Sequence, residues 1–340
     1  MSSNKKIIHA LILVSVLFLS IILYLTYFQL FKAEKLASSA ENPRTVIKEQ
    51  RIKRGTIYSS DGEVLAYSEM KDQNQKRIYP FRNIYSHVIG YNNQTYGRSM
   101  LEYTYNSYIM GSAFSNEIYN LKQKIMGSAE QGADLTLSID HGLQKKAYDL
   151  LGNRKGSIVA LNPKTGATLA LVSKPDYDPN EGALAKNWSS ILESENSPLL
   201  SRATLGLYPP GSVFKTVTAT SAIENGLGDE IFEDEGSVVI GNYKFVNYDG
   251  HAYGKLDLLH GFTKSSNVVF VTLADMLGYN KMRNVMDRFM INQDISYDLT
   301  LQKGTGLADD SKTNVAAIGM GQGDLQVTPM NMALVASAIA

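Results

Sequence analysis

The chain of 340 residues contains no cysteine, and its basic and acidic residues are equal in number, 33 of each. Without cysteine there is no disulfide scaffold, no thiol nucleophile and no cysteine-ligated zinc site. Nucleic-acid binders present a basic face to phosphates, and a formal net charge of zero argues against that class. Hydrophobic residues make up 44% of the chain, which excludes disorder as its main state and suffices for about two domains.

A single long apolar segment lies near the N-terminus. Residues 7–30 contain no Asp, Glu, Lys or Arg, and a helix of about 20 residues crosses a bilayer. The segment ends in aromatic residues, without the small-residue cleavage site of a signal peptide. We therefore predict a cytoplasmic tail over 1–6, a retained single-pass anchor over 7–30 and an extracytoplasmic remainder. The alternative, a buried core helix, requires partners on all its sides.

The rest of the chain divides into two parts. Residues 31–131 are predicted to form a polar linker followed by a tyrosine-rich stretch of short strands, beginning with a hairpin over 55–67. Residues 132–340 carry a sharper pattern. Its predicted elements are a strand over 135–139, a helix from the cap Asp140 to Leu151, a hairpin over 157–173, and helices at about 212–224, 257–278 and 328–340. This order indicates a mixed α/β (α+β) domain with an antiparallel sheet.

Ser212 and Lys215 are the first candidates for catalysis. Pro-Pro-Gly at 209–211 forces a turn before a predicted apolar helix. A serine becomes a nucleophile when a base takes its proton, and a lysine three residues on lies within reach on the same helix face. An apolar environment lowers the pKa of a lysine, as that role requires. The side chains predicted to face inward are Val213, Phe214, Val217 and Ile223.

Ser-x-x-Lys alone is unspecific, because Ser68 and Lys71 match it too, and Ser212 would otherwise be an ordinary helix N-terminal residue. A second motif, Ser-x-Asn, follows at Ser265 and Asn267 and by itself predicts a capped turn. Taken in order, the two motifs match the serine acyl-transferase series of penicillin-binding proteins and β-lactamases.

With these motifs, nearly the whole chain resembles a class B penicillin-binding protein, a monofunctional peptidoglycan transpeptidase of the shorter, elongation type. The resemblance implies a small β-rich, dimerisation-like pedestal over 31–131 and a serine β-lactamase-like transpeptidase domain over 132–340. Segments that carry it lie at 54–57, 61–66, 97–102, 160–166, 174–180 and 321–329.

The resemblance implies acyl transfer from peptidoglycan stem peptides that end in D-Ala-D-Ala. Ser212 would attack the penultimate carbonyl, and Lys215 would act as the general base. Ser265 would pass the proton to the leaving amine, and Asn267 would hold the substrate amide and Lys215. β-Lactams would acylate the same serine, without metal or cofactor. The implied partners are stem peptides, lipid-linked precursors and a membrane-embedded SEDS-family glycosyltransferase.

The family's third motif, Lys-Thr-Gly, departs from the expected order. Residues 164–166 have this sequence, but they precede Ser212 in a predicted hairpin turn and are therefore not assigned to catalysis. None follows Asn267, and the chain stops within the apolar segment 328–340, so we expect a C-terminally truncated transpeptidase domain. Two other hypotheses stay open: a D,D-carboxypeptidase or anchored β-lactamase, and a non-catalytic scaffold that activates a glycan polymerase. A transmembrane β-lactam sensor fits less well, because sensors usually have further spans or a cytoplasmic domain.

Overall fold

The computed structural model describes residues 2–31, 52–71, 74–111 and 131–340. Most of the predicted linker and residues 112–130 of the pedestal therefore lie outside the described residues. The helices are α1 Ser2–Phe31, α2 Met100–Thr104, α3 Asn106–Ile109, α4 His141–Leu151, α5 Glu181–Glu193, α6 Lys215–Glu224, α7 Leu258–Thr263, α8 Asn267–Arg288, α9 Lys312–Gly319 and α10 Pro329–Ile339. The strands are β1 Ile57–Tyr58, β2 Val64–Lys71, β3 Asn74–Ile78, β4 Asn92–Asn93, β5 Gly97–Arg98, β6 Leu135–Thr136, β7 Gly156–Leu161, β8 Thr168–Lys174, β9 Phe232–Asp234, β10 Ser237–Ile240, β11 Tyr243–Val246 and β12 Gly254–Leu256.

The predicted apolar segment is helical. Within α1, the stretch Leu11–Phe28 has a mean hydropathy of 2.5, and none of it is buried against the rest of the chain. At 18 residues this stretch is long and apolar enough to cross a membrane.

A four-stranded sheet with the order β3-β2-β1-β6 joins three strands of the predicted pedestal region to β6, which lies just beyond its predicted boundary at residue 131. The predicted hairpin is confirmed, because β1 and β2 pair antiparallel. The strand predicted over 135–139 is shorter than expected: only β6 pairs, parallel to β1. Ser138 no longer pairs with β1; its Oγ donates instead to the Thr168 carbonyl of β8 at 2.7 Å.

A buried ion cluster stands beside this sheet. Glu102 accepts hydrogen bonds from Arg54 Nη2 and Arg77 Nε, both at 2.6 Å, and all three side chains are buried. Burial alone would raise the pKa of Glu102, but Arg77 and Arg54 outweigh it and lower the pKa to about 2. Arg54 and Glu102 come from two of the segments that resemble the family's pedestal, so the structure joins those segments through one salt bridge.

The larger domain confirms the predicted mixed α/β architecture. Its described strands after β6 form three antiparallel pairs, β7–β8, β9–β12 and β10–β11. Helix α4 begins where predicted, because Asp140 Oδ1 accepts from the N–H of Leu143 at 2.7 Å, and Gly152 with a φ of 57° ends it.

Several helix predictions need correction. The helix predicted over 257–278 is two helices, α7 and α8, because Ser265 between them has a φ of 55°; α8 itself is interrupted at Gly278, whose φ is 72°. Helices α5 and α9 were not predicted. Val213 and Ile223, predicted to face inward, are 59% and 64% exposed.

The inward stripe of α6 explains the last two errors. Phe214 and Val217 are fully buried as predicted, and the stripe continues through Thr218, Ser221 and Ala222 at helical spacing. Val213 and Ile223 each lie one position outside that stripe. The core that supports α6 comes from helices α8, α9 and α10, through Ala274, Leu277, Met282, Val285, Val315, Ile318 and Val335.

Candidate active site

Two glycines shape the loop that precedes Ser212. Gly211, with a φ of 61°, donates its N–H to the carbonyl of Gly321 at 2.9 Å. Gly321 has a φ of 82°, and a Cβ added there would lie 1.9 Å from the Gly211 carbonyl oxygen. Both conformations favour glycine, and the close approach leaves no room for a side chain at 321. Segment 321–329, which carried part of the family resemblance, therefore supports the loop before the candidate nucleophile.

Ser212 lies in a single 3-10 turn, Gly211–Phe214, and α6 begins only at Lys215. The predicted position of the first helical turn is thus correct, but the turn is a 3-10 turn, which is tighter than the predicted α-helical one. The Ser212 side chain is exposed, and its hydroxyl makes no hydrogen bond within the described part of the chain. It is therefore free to meet a ligand.

Lys215 is buried and donates three hydrogen bonds from Nζ. The acceptors are the Ser265 carbonyl at 2.6 Å, Ser265 Oγ at 3.1 Å and Asn267 Oδ1 at 2.8 Å. Burial lowers the pKa of Lys215 to about 8, because a charged amine is disfavoured away from water. A neutral amine has only two N–H groups, so deprotonation releases one of the three contacts and exposes a lone pair.

The turn between α7 and α8 presents the acceptors. Ser266 caps α8 by accepting the N–H of Val269 at 3.0 Å, which places Asn267 as the first helical residue. The Nδ2 of Asn267 donates to the Val246 carbonyl at 2.9 Å, so its Oδ1 faces Lys215. The turn is therefore capped, through Ser266, and it also presents Ser265 and Asn267 to Lys215.

A cavity of about 610 Å³ opens at this site, with Ser212 and Asn267 in its wall. Sequence reasoning did not identify its other side chains, which come from β11, α9 and the loop after α9. The apolar ones are Tyr243, Phe245, Ala317 and Met320, and the polar ones are Thr313 and Gln322. The only available signal was the glycine-flanked Gln322. A pocket with an apolar wall and a few polar groups is typical of a ligand site.

The structure thus brings together the four predicted site residues, with one difference in contact. Lys215 bonds to Ser265 and Asn267, whereas no hydrogen bond joins it to Ser212. The Lys-Thr-Gly sequence at 164–166 lies in the exposed turn between β7 and β8, as predicted, away from this cavity. No group of three His, Asp or Glu residues placed to hold a metal ion occurs among the described residues.

Comparisons with known proteins agree with this geometry. The sequence model of the penicillin binding protein transpeptidase domain matches residues 156–340. The model of the penicillin binding protein A dimerisation domain matches residues 54–135. The peptidoglycan D,D-transpeptidase PbpA of Mycobacterium tuberculosis is 30% identical, over 99% of this chain and 72% of its own. PbpA of Mycolicibacterium smegmatis is 29% identical over the same shares.

Solved structures are similar as well. A ceftriaxone acyl-enzyme complex of penicillin-binding protein A from M. tuberculosis superposes with a TM-score of 0.81 at 28% identity, covering 86% of this chain and 70% of that one. The D,D-transpeptidase domain of a peptidoglycan glycosyltransferase from Eggerthella lenta gives 0.75 at 32% identity, covering 85% and 70%. With two matched domains and a lysine held by the Ser-x-Asn turn beside Ser212, the chain belongs to the class B penicillin-binding proteins.

Proposed function

We propose that this chain cross-links peptidoglycan by serine acyl transfer, with Ser212 as nucleophile and Lys215 as general base. The carrying observation is that buried Lys215 is bonded to both Ser265 and Asn267, while Ser212 and Asn267 line one cavity. The D,D-transpeptidase names of its relatives support the reaction class. The stem peptide ending in D-Ala-D-Ala is the donor, and β-lactams acylate the same serine.

The proposed first half-reaction forms an ester. Ser212 Oγ attacks the carbonyl carbon of the penultimate D-Ala while its proton passes to neutral Lys215 Nζ. The peptide C–N bond then breaks. Ser265 Oγ, 3.1 Å from Nζ, passes its proton to the departing D-Ala amine and takes in exchange the proton that Lys215 received. Asn267 holds Lys215 through Oδ1 and orients the substrate amide.

The second half-reaction transfers the acyl group. An amine from a neighbouring peptidoglycan strand attacks the ester carbonyl and gives a proton to neutral Lys215 Nζ. The bond to Ser212 Oγ breaks, and Lys215 returns that proton to the serine oxygen. Water in place of this amine would give hydrolysis. Incubation with a stem peptide, with and without an amine acceptor such as a D-amino acid, distinguishes these outcomes: a new amide product supports transpeptidation, and the shortened peptide alone supports a carboxypeptidase.

Intact-mass analysis of the detergent-solubilised chain after incubation with a penicillin tests the nucleophile. We expect a gain of one drug molecule, located on the peptide that contains Ser212. Ser212→Ala should abolish that gain, while Ser68→Ala, which removes the serine of the other Ser-x-x-Lys sequence at 68–71, should not. Labelling that survives Ser212→Ala, or no labelling of the unaltered chain, would contradict the proposed acylation.

The proposal includes a membrane anchor, α1, with a cytoplasmic N-terminus and an extracytoplasmic cavity. Lys5 and Lys6 precede the apolar stretch, and Lys32 and Lys35 follow it, so the basic residues alone do not set the orientation. The proposed peptidoglycan substrate, which lies outside the cytoplasm, is what favours an extracytoplasmic cavity. Because the chain has no cysteine, Lys186→Cys on the exposed face of α5 gives a unique thiol for an impermeant maleimide. Labelling in intact cells supports this orientation, and labelling only after lysis contradicts it.

The exposed apolar surface of α1 is the proposed contact with a SEDS-family glycosyltransferase, to be tested by co-purification.

A further inference from the structure

Asp234 carries a buried carboxylate at the end of β9, only 1% exposed. Among the described residues its hydrogen-bond donors are all neutral. Asn247 Nδ2 reaches its two oxygens at 2.8 and 2.9 Å, Ser266 Oγ donates at 2.6 Å, and the Gly236 N–H donates at 2.8 Å. A buried carboxylate is costly unless it is hydrogen-bonded, and these four bonds, which satisfy both oxygens, link β9 to Asn247 and to the turn before α8.

Asn247 links Asp234 to the candidate site through hydrogen bonds. While its Nδ2 is held by Asp234, its Oδ1 accepts the backbone N–H groups of Asn267 at 2.8 Å and Val268 at 3.1 Å. The neighbouring Val246 carbonyl accepts Asn267 Nδ2. The end of β11 therefore fixes both the main chain and the side-chain orientation of Asn267.

Ser266 provides a second connection. Its hydroxyl donates to Asp234 and accepts the N–H of Val269, so the carboxylate also fixes the cap of α8. The residue before it, Ser265, has a φ of 55°, which non-glycine residues rarely adopt unless their surroundings hold them there. Asp234 thus holds the turn in two ways, directly through Ser266 and indirectly through Asn247 and Asn267.

We propose that Asp234 and Asn247 are positioning residues for acyl transfer, which hold the turn 264–267 so that Ser265 and Asn267 meet Lys215. Neither side chain lines the cavity, so both act through Ser266 and Asn267. This inference rests on the proposed function for its catalytic consequence, but its structural part is independent of it.

The test replaces Asp234 by asparagine, which keeps the volume and removes one acceptor oxygen. Two quantities are measured on the full chain: deuterium uptake of a peptide covering 264–268, and the acylation rate constant at saturating fluorescent penicillin. Asp234→Asn should raise uptake at the Asn267 and Val268 amides, which Asp234 does not touch. It should lower acylation by about 10²-fold, the usual effect of misplacing reacting groups by about 1 Å.

A swap and a matched control separate positioning from general destabilisation. The double variant Asp234→Asn with Asn247→Asp restores one amide and one carboxylate at the pair, so it should recover part of the loss in both readouts. Gln144→Leu removes another fully buried amide, which bonds Ile84 and Leu171 far along the chain from the turn. It should lower the melting temperature and leave acylation per folded molecule unchanged.

Unchanged uptake and unchanged acylation in Asp234→Asn would overturn the inference. So would a double variant worse than either single variant, or a loss of acylation in Gln144→Leu as large as in Asp234→Asn. If the unaltered chain is not acylated, the proposed function fails, and deuterium uptake in Asp234→Asn and in the double variant still decides whether the pair positions the turn.

Discussion

Lys215 Nζ lies 2.8 Å from Asn267 Oδ1, although 52 positions of sequence separate the two residues. The lysine enters from the first residue of α6, and the asparagine from the first residue of α8. Because both helices begin at the same cavity, the amine meets an amide oxygen whose orientation is set by the Val246 carbonyl. The contact stabilises the charged amine while burial favours the neutral one, and the pKa of about 8 shows that burial prevails.

The pH dependence of acylation should follow this lysine. A general base must be neutral, and the neutral fraction of a group with a pKa of about 8 falls tenfold per pH unit below it. We expect the acylation rate constant by a penicillin to rise with pH up to about 8 and then level, with a value at pH 6 about 10²-fold below the plateau. Stopped-flow or quenched labelling with a fluorescent penicillin measures this profile.

Asn267→Asp provides the matched variant for that measurement. It places a carboxylate of the same size beside Nζ, and an opposite charge at this distance raises the pKa of the amine by about 1 to 3 units. The rising limb should therefore shift to higher pH by a similar amount. A rate that stays flat between pH 6 and 8 in the unaltered chain would show that acylation does not require neutral Lys215.

Gly321→Ala should slow acylation strongly while the chain still folds. The new Cβ would lie 1.9 Å from the Gly211 carbonyl oxygen at a φ of 82°, so the loop that carries Ser212 must move. A displacement of about 1 Å costs about 10²-fold in rate, which the fluorescent-penicillin assay detects readily. Gly182→Ala is the control, because its Cβ in α5 would have no heavy atom within 4 Å; that variant should label normally. Equal labelling of both variants would show that Gly321 does not position the loop.

The sequence patterns predicted the site residues that lie close together in the chain, but not those that come from distant segments. Ser212 and Lys215 are three residues apart, so a turn and a helix pattern suffice to place both at one helix start. Gly321 contacts Gly211 across more than a hundred residues, and nothing in the local pattern of either glycine specifies the other. Tyr243 and Phe245 enter the cavity wall because β11 pairs with β10, a tertiary arrangement that alternation alone does not locate.

Errors in the predicted elements have a similar origin. The apolar run after Asn267 is continuous in the sequence, whereas Ser265 and Gly278 break the helical backbone with φ values of 55° and 72°. A serine at positive φ is not signalled by its residue type; it is held there by bonds from the folded chain. The fold class, the long apolar helix α1 and the first hairpin depend on composition and on contacts close in sequence, and these predictions were correct.

The buried carboxylate of the pedestal gives a prediction about stability. Glu102→Gln leaves the guanidinium groups of Arg54 and Arg77 buried without their counter-charge, which costs about 3–5 kcal/mol of unfolding free energy. Glu224→Gln is the matched control, because Glu224 also pairs with an arginine, Arg288, through two bonds but at an exposed site. Thermal unfolding at pH 7 should show a large loss for the first variant and little change for the second.

Acid unfolding tests the same residue through the pH dependence of the unfolding free energy. The pKa of Glu102 in the folded chain is about 2, below its usual value of 4.5, so the unfolded chain binds the proton more readily. The stability that Glu102 contributes is therefore complete above about pH 4.5 and is lost as the pH falls toward 2. The difference in unfolding free energy between the unaltered chain and Glu102→Gln should narrow over that range. A difference that stays constant from pH 5 to pH 2.5 would show that the two arginines do not hold this carboxylate ionised.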